Sequence, residues 1–231
     1  MRLSDLLFPS SLRCIFCGKE VGTGIAICSE CNLTLPYITG KTCAKCGGRV
    51  KEEDYCIDCS RLEHRFTRNF SIFDYADILR DKVVSFKNGR KYLGYSFAHI
   101  IYDYYTRLDL DIDIIIPMPI HSSREKLRGF NQAEILSSVL MERTDKVRLD
   151  VLTKVIDTPH QTGLSREHRL SNVAGSFAVN DKTAIKDKAI LVIDDIYTTG
   201  STMSEVAETL LKAGGKAVYG LTLARGRTID L

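Results

Sequence analysis

Two adjacent carboxylates, Asp194 and Asp195, follow the apolar run Ile190-Leu191-Val192-Ile193 and precede Ile196-Tyr197-Thr198-Thr199-Gly200-Ser201-Thr202. The apolar run predicts a buried strand, with the two acids emerging at its tip. Thr198, Thr199, Ser201 and Thr202 surround Gly200, where a helix is expected to open. Backbone N–H groups at such a start, joined by hydroxyls, form a cradle for phosphate. Gly200 lets the backbone approach phosphate oxygens with no Cβ in the way. Acids repel phosphate, so their place is one sugar ring away, accepting hydrogen bonds from a diol. The pattern predicts a ribose 5-phosphate site. A solvated Asp pair capping a helix is the plainer alternative, and the register of all thirteen positions from 190 to 202 disfavours it.

The second chemical signal is cysteine. All eight lie between Cys14 and Cys59, as four pairs with two intervening residues: Cys14 and Cys17, Cys28 and Cys31, Cys43 and Cys46, Cys56 and Cys59. That spacing lets one tight turn present two thiolates to a single ion, and two such knuckles close a tetrahedral zinc site. Gly18 follows the first knuckle and Gly47-Gly48 the third, where the chain must turn under the metal. Two structural zinc ions per chain are expected, with no open coordination position for catalysis. Pairing in sequence order and interleaved pairing are both open. Disulfides fit badly without a secretion signal, and iron–sulfur spacings usually differ from these even repeats. So small a segment has little apolar content, so zinc is expected to supply most of its stability.

These groups need elements to hold them. Residues 1–60 read as the small zinc-ribbon domain and 61–231 as a larger second domain. Phe70 to Tyr75 alternates as a strand does, and Asp77 to Tyr105 has helical spacing broken at Asn88-Gly89. Ile78, Val83, Phe86, Leu93, Phe97, Ile100 and Ile101 are the core candidates there. Ile112–Ile116, Ala189–Ile193 and Ala217–Leu223 read as buried parallel strands. Helices are expected over Asn131–Arg143 and Ser201–Ala213, the latter stopped by Gly214-Gly215. Strands alternating with helices predict a doubly wound α/β sheet, whose ligands sit beyond the carboxyl ends of the strands.

Composition bounds the rest. The 231 residues are 44% hydrophobic and 26% charged, which excludes disorder as the main state. No apolar stretch reaches the roughly 18 to 20 residues of a membrane span, so no membrane insertion is expected. The start, Met1-Arg2-Leu3-Ser4-Asp5, lacks the pattern of a secretion signal, and a cytoplasmic location is expected. Net charge is +3, and the surplus lies in residues 61–170, with 18 basic against 15 acidic side chains. That is too mild for a generic DNA-coating protein and suits a site for a multiply charged anion.

Residues 190–202 resemble the phosphoribosyl-pyrophosphate (PRPP) signature of type I phosphoribosyltransferases. Joined to a double zinc ribbon, the domain resembles the ComF competence family, which includes ComFC and GntX-like proteins. Pro117-Met118-Pro119-Ile120-His121, leading through Arg124, Lys126 and Arg128 to Gly129-Phe130-Asn131-Gln132, is similar to that family's second motif. Gln161 to Arg166, with Arg169 and Asn172, is similar to a third, and Phe86-Lys87-Asn88-Gly89-Arg90 to a weaker fourth.

The resemblance implies a type I phosphoribosyltransferase-like sheet and a PRPP ligand held with Mg²⁺. It implies that Asp194 and Asp195 orient the ribose hydroxyls, and that the loop at Pro117, Met118 and Pro119 holds the pyrophosphate. Arg124 and Arg128 would neutralise the leaving group, and Arg166 and Arg169 would close over it from a flap. His160 and His168 are expected to be surface residues rather than acid–base groups. Glutamine-dependent amide transfer is not expected, because the chain begins Met1-Arg2 and its cysteines are committed to metal. No segment reads a nucleobase, so the acceptor is open.

The family's link to natural transformation implies a role in DNA uptake. The alternative is a non-catalytic module that binds single-stranded DNA or a competence helicase while keeping the PRPP fold. Phe16, Tyr37, Tyr55 and Phe66 could stack bases, although packing is the expected use of each.

Overall fold

The computed structural model describes residues 13–22, 27–148, 150–157 and 174–226. Seven strands and seven helices are defined among them. In chain order they are α1 (Ser29–Thr34), α2 (Ile57–Arg61), β1 (Arg68–Asp74), α3 (Asp77–Lys87), α4 (Lys91–Tyr105), β2 (Ile114–Pro117), α5 (Ser122–Arg128) and α6 (Gln132–Arg143). Then follow β3 (Val147–Arg148), β4 (Leu152–Lys154), β5 (Phe177–Val179), β6 (Ala189–Tyr197), α7 (Ser201–Lys212) and β7 (Ala217–Arg225). Five strands form one parallel sheet in the order β1-β7-β6-β2-β3. β4 and β5 form a separate antiparallel pair.

Alternate residues of β6 feed two cores, as a sheet covered on both faces requires. Leu191 and Ile193 join Leu93, Phe97 and Ile101 of α4 and Leu136 and Leu140 of α6. Ile190 and Val192 join Met203, Val206 and Leu210 of α7. The doubly wound α/β expectation therefore holds. Each ribbon extends a different core: Cys14, Ile15 and Phe16 belong to the first, Cys43 and Cys46 to the second. The chain between the ribbons also covers the edge of β1, where Tyr37 bridges Phe73 and Ile38 N–H donates to the Ile72 carbonyl at 2.9 Å.

Several details differ from expectation. Ile78 is 40% exposed, because Leu79, Val83 and Phe86 define the buried stripe of α3 and Ile78 lies one residue out of phase. β6 continues through both acids to Tyr197, since pairing with β7 persists from Asp194↔Thr222 to Tyr197↔Arg225. The basic segment after His121 is the helix α5 rather than a loop, capped by His121 at its start and by left-handed Gly129 (φ 75°) at its end. The β4–β5 pair, with three residues in each strand, is too short for its pattern to register and was not anticipated. Asp113 stands outside the strand, where its carboxylate accepts from Ala189 N–H at 2.8 Å. The break at Asn88-Gly89 holds, with Gly89 at φ 103° between α3 and α4. Among the described residues no helix is long and apolar enough to cross a membrane.

Candidate functional site

At the carboxyl end of β6 the chain leaves Tyr197 and turns through Thr198, Thr199 and Gly200 into α7. Gly200 takes the left-handed conformation (φ 78°) as the N-cap residue, and no side chain caps the helix. The Gly200 carbonyl accepts from Ser204 N–H at 2.8 Å, so the first helical turn closes normally. Thr199 Oγ1 and Ser201 Oγ lie 2.8 Å apart. Thr198 is exposed, Thr199 and Thr202 are half-buried, and Gly200 and Ser201 are buried. This is an open helix start ringed by hydroxyls, the local geometry of an anion cradle.

Asp194 and Asp195 stand just before that turn. Asp194 Oδ1 accepts from Asp195 N–H at 2.8 Å. Burial first, and the neighbouring Asp195 second, push the Asp194 carboxyl up to about 7. Asp195 is paired: Lys87 Nζ, at the end of α3, lies 2.6 Å from its Oδ2. Burial pulls the Lys87 ammonium down, but Asp195 outweighs it and the net direction is up. Among the described residues Asp194 makes no ion pair.

The Pro117–Pro119 segment runs beside this acid pair. Pro117 is in register with Ile193, and Met118 N–H donates to the Ile193 carbonyl at 2.8 Å. Asn131 clamps the segment by donating to the Met118 carbonyl at 3.1 Å while capping α6 at Ala133 N–H. On α5 the four-residue spacing puts Arg124 and Arg128 on one face, and exposed Lys126 lies off that face. Arg128 donates to Gln132 Oε1 at 3.0 Å, and Arg124 pairs with Asp157 at 3.3 Å. Asp157 also accepts from the Ser123 hydroxyl, tying α5 to the end of the β4 strand region.

Reasoning from sequence placed neither of two cations beside the acid pair. Lys154 on β4 stands in the field of Arg124, Asp157 and Asp194, and burial first, then Arg124, lowers its pKa. Lys87 was part of a motif, but nothing in its neighbourhood signalled Asp195 as its partner. Lys154 carried no signal at all. Arg166, Arg169, His160 and His168 lie outside the described residues, as does the segment expected to form a flap. Of the aromatics considered for stacking, Phe16 and Phe66 are buried, Tyr37 packs on Phe73 with centroids 4.5 Å apart, and Tyr55 is exposed.

The eight cysteines gather in sequence order: Cys14, Cys17, Cys28 and Cys31 in one group, Cys43, Cys46, Cys56 and Cys59 in the other. Within each group the sulfurs lie within 4.8 Å of one another, with Cys17–Cys28 at 3.7 Å and Cys46–Cys56 at 3.6 Å. Four sulfurs at about 2.3 Å from a tetrahedral centre would stand about 3.8 Å apart. Donor type, number and spacing all fit structural zinc.

The fold and these two kinds of site define a class: a phosphoribosyltransferase-type α/β domain carrying a double zinc ribbon. Comparison with known families agrees, since residues 3–60 match the double zinc ribbon domain and residues 126–228 the phosphoribosyl transferase domain. Competence protein F of Haemophilus influenzae is 28% identical over 228 residues, 93% of this chain and 97% of that protein. Competence protein ComFC of Bacillus subtilis is 28% identical over 208 residues, 86% of this chain and 84% of that one. DNA utilization protein YhgH of Escherichia coli K12 is 27% identical over 222 residues, 92% and 89% respectively. Among solved structures, a hypoxanthine phosphoribosyltransferase from Staphylococcus aureus aligns at TM-score 0.37 and 16% identity, over 62% of this chain and 71% of that chain. So distant a likeness carries no argument about the site. Over most of its length the chain is similar to these competence and DNA utilization proteins, in keeping with the resemblance to the ComF family.

Proposed function

We propose that the chain binds PRPP, or a related phosphoribosyl ligand, at the carboxyl end of β6 and acts in DNA uptake during natural transformation. One observation carries the reading. An uncapped helix start at left-handed Gly200 directly follows a strand whose half-buried Asp194 stands among the cations Lys87 and Lys154. In this reading Thr198, Thr199, Ser201 and Thr202 hold the 5′-phosphate, with Gly200 giving it room. Asp194 and Asp195 orient the ribose hydroxyls and favour positive charge developing on the ring. Pro117, Met118 and Pro119 flank the pyrophosphate, whose charge Arg124 and Arg128 offset. The resemblance adds Arg166 and Arg169 as groups that close over it.

Mg²⁺, when bound with the ligand, would supply Lewis acidity. The hard carboxylate oxygens of Asp194 and Asp195 fit it, holding it directly or through the diol. The names of the relatives, competence and DNA utilization proteins, support the cellular role.

The Lys87–Asp195 pair favours a second reading, because a cation of the chain itself already neutralises one acid. There the site holds a phosphoribosyl ligand without turnover, and the chain serves as a binding module for single-stranded DNA or a helicase. Exposed Tyr92 and Tyr95 beside Arg90 and Lys91 offer stacking and charge for such a strand.

Calorimetry with PRPP, with and without Mg²⁺, followed by an assay for released pyrophosphate, tests both. Binding with release, whether water or an added nucleophile takes the ribose carbon, supports the transferase, and binding with no release to water, ammonia or a panel of nucleobases supports the module. No binding in either condition overturns the phosphoribosyl reading.

A further inference from the structure

The second ribbon meets the larger domain at several points, Asn69 and Asp74 of β1 among them, and one buried arginine carries the contact towards Gly200. Arg225, the last residue of β7, is 9% exposed and donates from Nη1 to the carbonyl of Cys46 at 3.2 Å. Its guanidinium lies over the ring of Tyr197, 4.8 Å from the centroid. Gly48 of the same ribbon makes room for it: a Cβ there would stand 2.6 Å from Arg225 Nε. Tyr197 in turn presses on the phosphate turn, since a Cβ on Gly200 would meet Tyr197 Oη at 2.1 Å. The path runs from a metal-ligating residue, through one guanidinium and one ring, to the glycine of the cradle. Every step is a close contact between buried groups, where a shift in one leaves its neighbour no slack.

A parallel route reinforces it. Lys45, beside Cys46, lies over the Phe66 ring at 5.5 Å, and Phe66 meets Tyr197 edge-on at 6.2 Å. Among the described residues the first ribbon shows no such path, since Cys14, Ile15 and Phe16 join the core on the opposite face of the sheet.

We propose that the second zinc ribbon sets the ligand affinity of the phosphate turn, with Arg225 as the positioning residue that transmits the state of the Cys43, Cys46, Cys56 and Cys59 site to Tyr197 and Gly200. This rests on the phosphoribosyl reading above for the identity of the ligand, but not for the coupling itself. A knuckle organised by metal holds the Cys46 carbonyl against Arg225. Loss of the metal loosens the Cys46 carbonyl, which keeps Asn69 Nδ2 at 3.3 Å as its other donor, and with it the guanidinium and then the ring. Linkage makes the effect reciprocal: ligand in the cradle raises the zinc affinity of the second site and leaves that of the first unchanged.

The test uses the zinc-loaded full chain and its Arg225→Met and Arg225→Lys variants, with Arg49→Met as control. Arg49 also joins a ribbon to the sheet, pairing with Asp74 at 3.0 Å, but touches neither Tyr197 nor the turn. Hydrogen exchange at the amides of residues 199–202 reads the coupling without ligand. PRPP with Mg²⁺ is the calorimetric probe, and a chromogenic chelator reads zinc release.

Arg225→Met is expected to speed exchange at the turn and to weaken PRPP about tenfold, within the range usual for coupled sites. Arg225→Lys keeps the charge but loses the planar stack, and recovers only part. Arg49→Met is expected to stay within about twofold on both readouts. Unchanged exchange at the turn in Arg225→Met, in a protein still holding two zinc ions, overturns the coupling. So does PRPP affinity equal to that of the parent chain. If the parent chain binds no PRPP while exchange still responds to Arg225 and not to Arg49, the ligand assignment fails and the coupling stands.

Discussion

Lys87 at the end of α3 and Asp195 near the end of β6 form an ion pair with Nζ and Oδ2 2.6 Å apart, both side chains largely covered. The pair leaves Asp194 as the carboxylate without an ionic partner among the described residues, and gives the two acids different environments. Breaking a covered pair leaves an uncompensated charge, which costs more than the pair itself contributes. Lys87→Met is therefore expected to destabilise the free protein by about 2 kcal/mol, lowering Tm by roughly 4 to 8 °C in a chain of this size. Adding Asp195→Asn should restore most of the loss. Calorimetric melts at pH 8 check this, and a double variant no better than the single one would dissolve the pairing.

Asp194 carries the pH dependence. Its folded pKa is raised to about 7, whereas an unfolded Asp titrates at about 3.9. Between these values the folded chain holds a proton that the unfolded chain has released. The contribution of Asp194 to stability is present below the unfolded value and is lost as pH rises from about 4 through about 7. Asp194→Asn should remove that loss, so the variant's Tm should exceed the parent's at pH 8 and not at pH 4.5. Equal pH profiles for the two proteins would contradict the raised pKa.

Ligand binding follows the same titration with opposite sign, because a carboxylate accepts sugar hydroxyls and a protonated acid does so poorly. PRPP with Mg²⁺ should raise Tm by several degrees at pH 8 and by less at pH 6. Asp194→Asn with Asp195→Asn should abolish the shift. A double variant that keeps it would remove both acids from the site.

Gly200 is irreplaceable on two grounds, its left-handed φ and the Tyr197 hydroxyl packed against its Cα. Gly200→Ala is expected to cost about 1 to 3 kcal/mol and to eliminate the PRPP shift. Thr198→Ala, at an exposed position of the same turn, should weaken binding with little change in Tm. Measuring melts and PRPP titrations together separates the two effects.

Elemental analysis should return two zinc ions per chain. A chelator strong enough to strip both should abolish cooperative unfolding of the ribbons, because little else holds them together. One ion per chain would refute a paired set of ribbons.

The strand-to-helix turn at Thr198–Thr202 and the cysteine knuckles were readable because their geometry is local. Thirteen consecutive residues from 190 to 202 carry strand, acids, turn and helix start, and each knuckle spans four residues. The central strands β2, β6 and β7 were equally plain, since Ile115, Leu191 and Val192 are covered from both faces and show as unbroken apolar runs, whereas two-residue β3 at the sheet edge left no signal. α5 was missed because Ser122–Arg128 is too short and polar for a period to register. β4 and β5 were missed for a similar reason, with three residues each.

The amino-acid order by itself determined which groups could bind metal and phosphate, and that a sheet edge would carry them, because these properties reside in neighbours along the chain. Only the tertiary structure decided that the cysteines pair in sequence order, that Lys87 answers Asp195, and that Arg225 links Cys46 to Tyr197. Those partners are brought together by packing against the two faces of one sheet, and no local spacing records which distant side chain that packing will deliver.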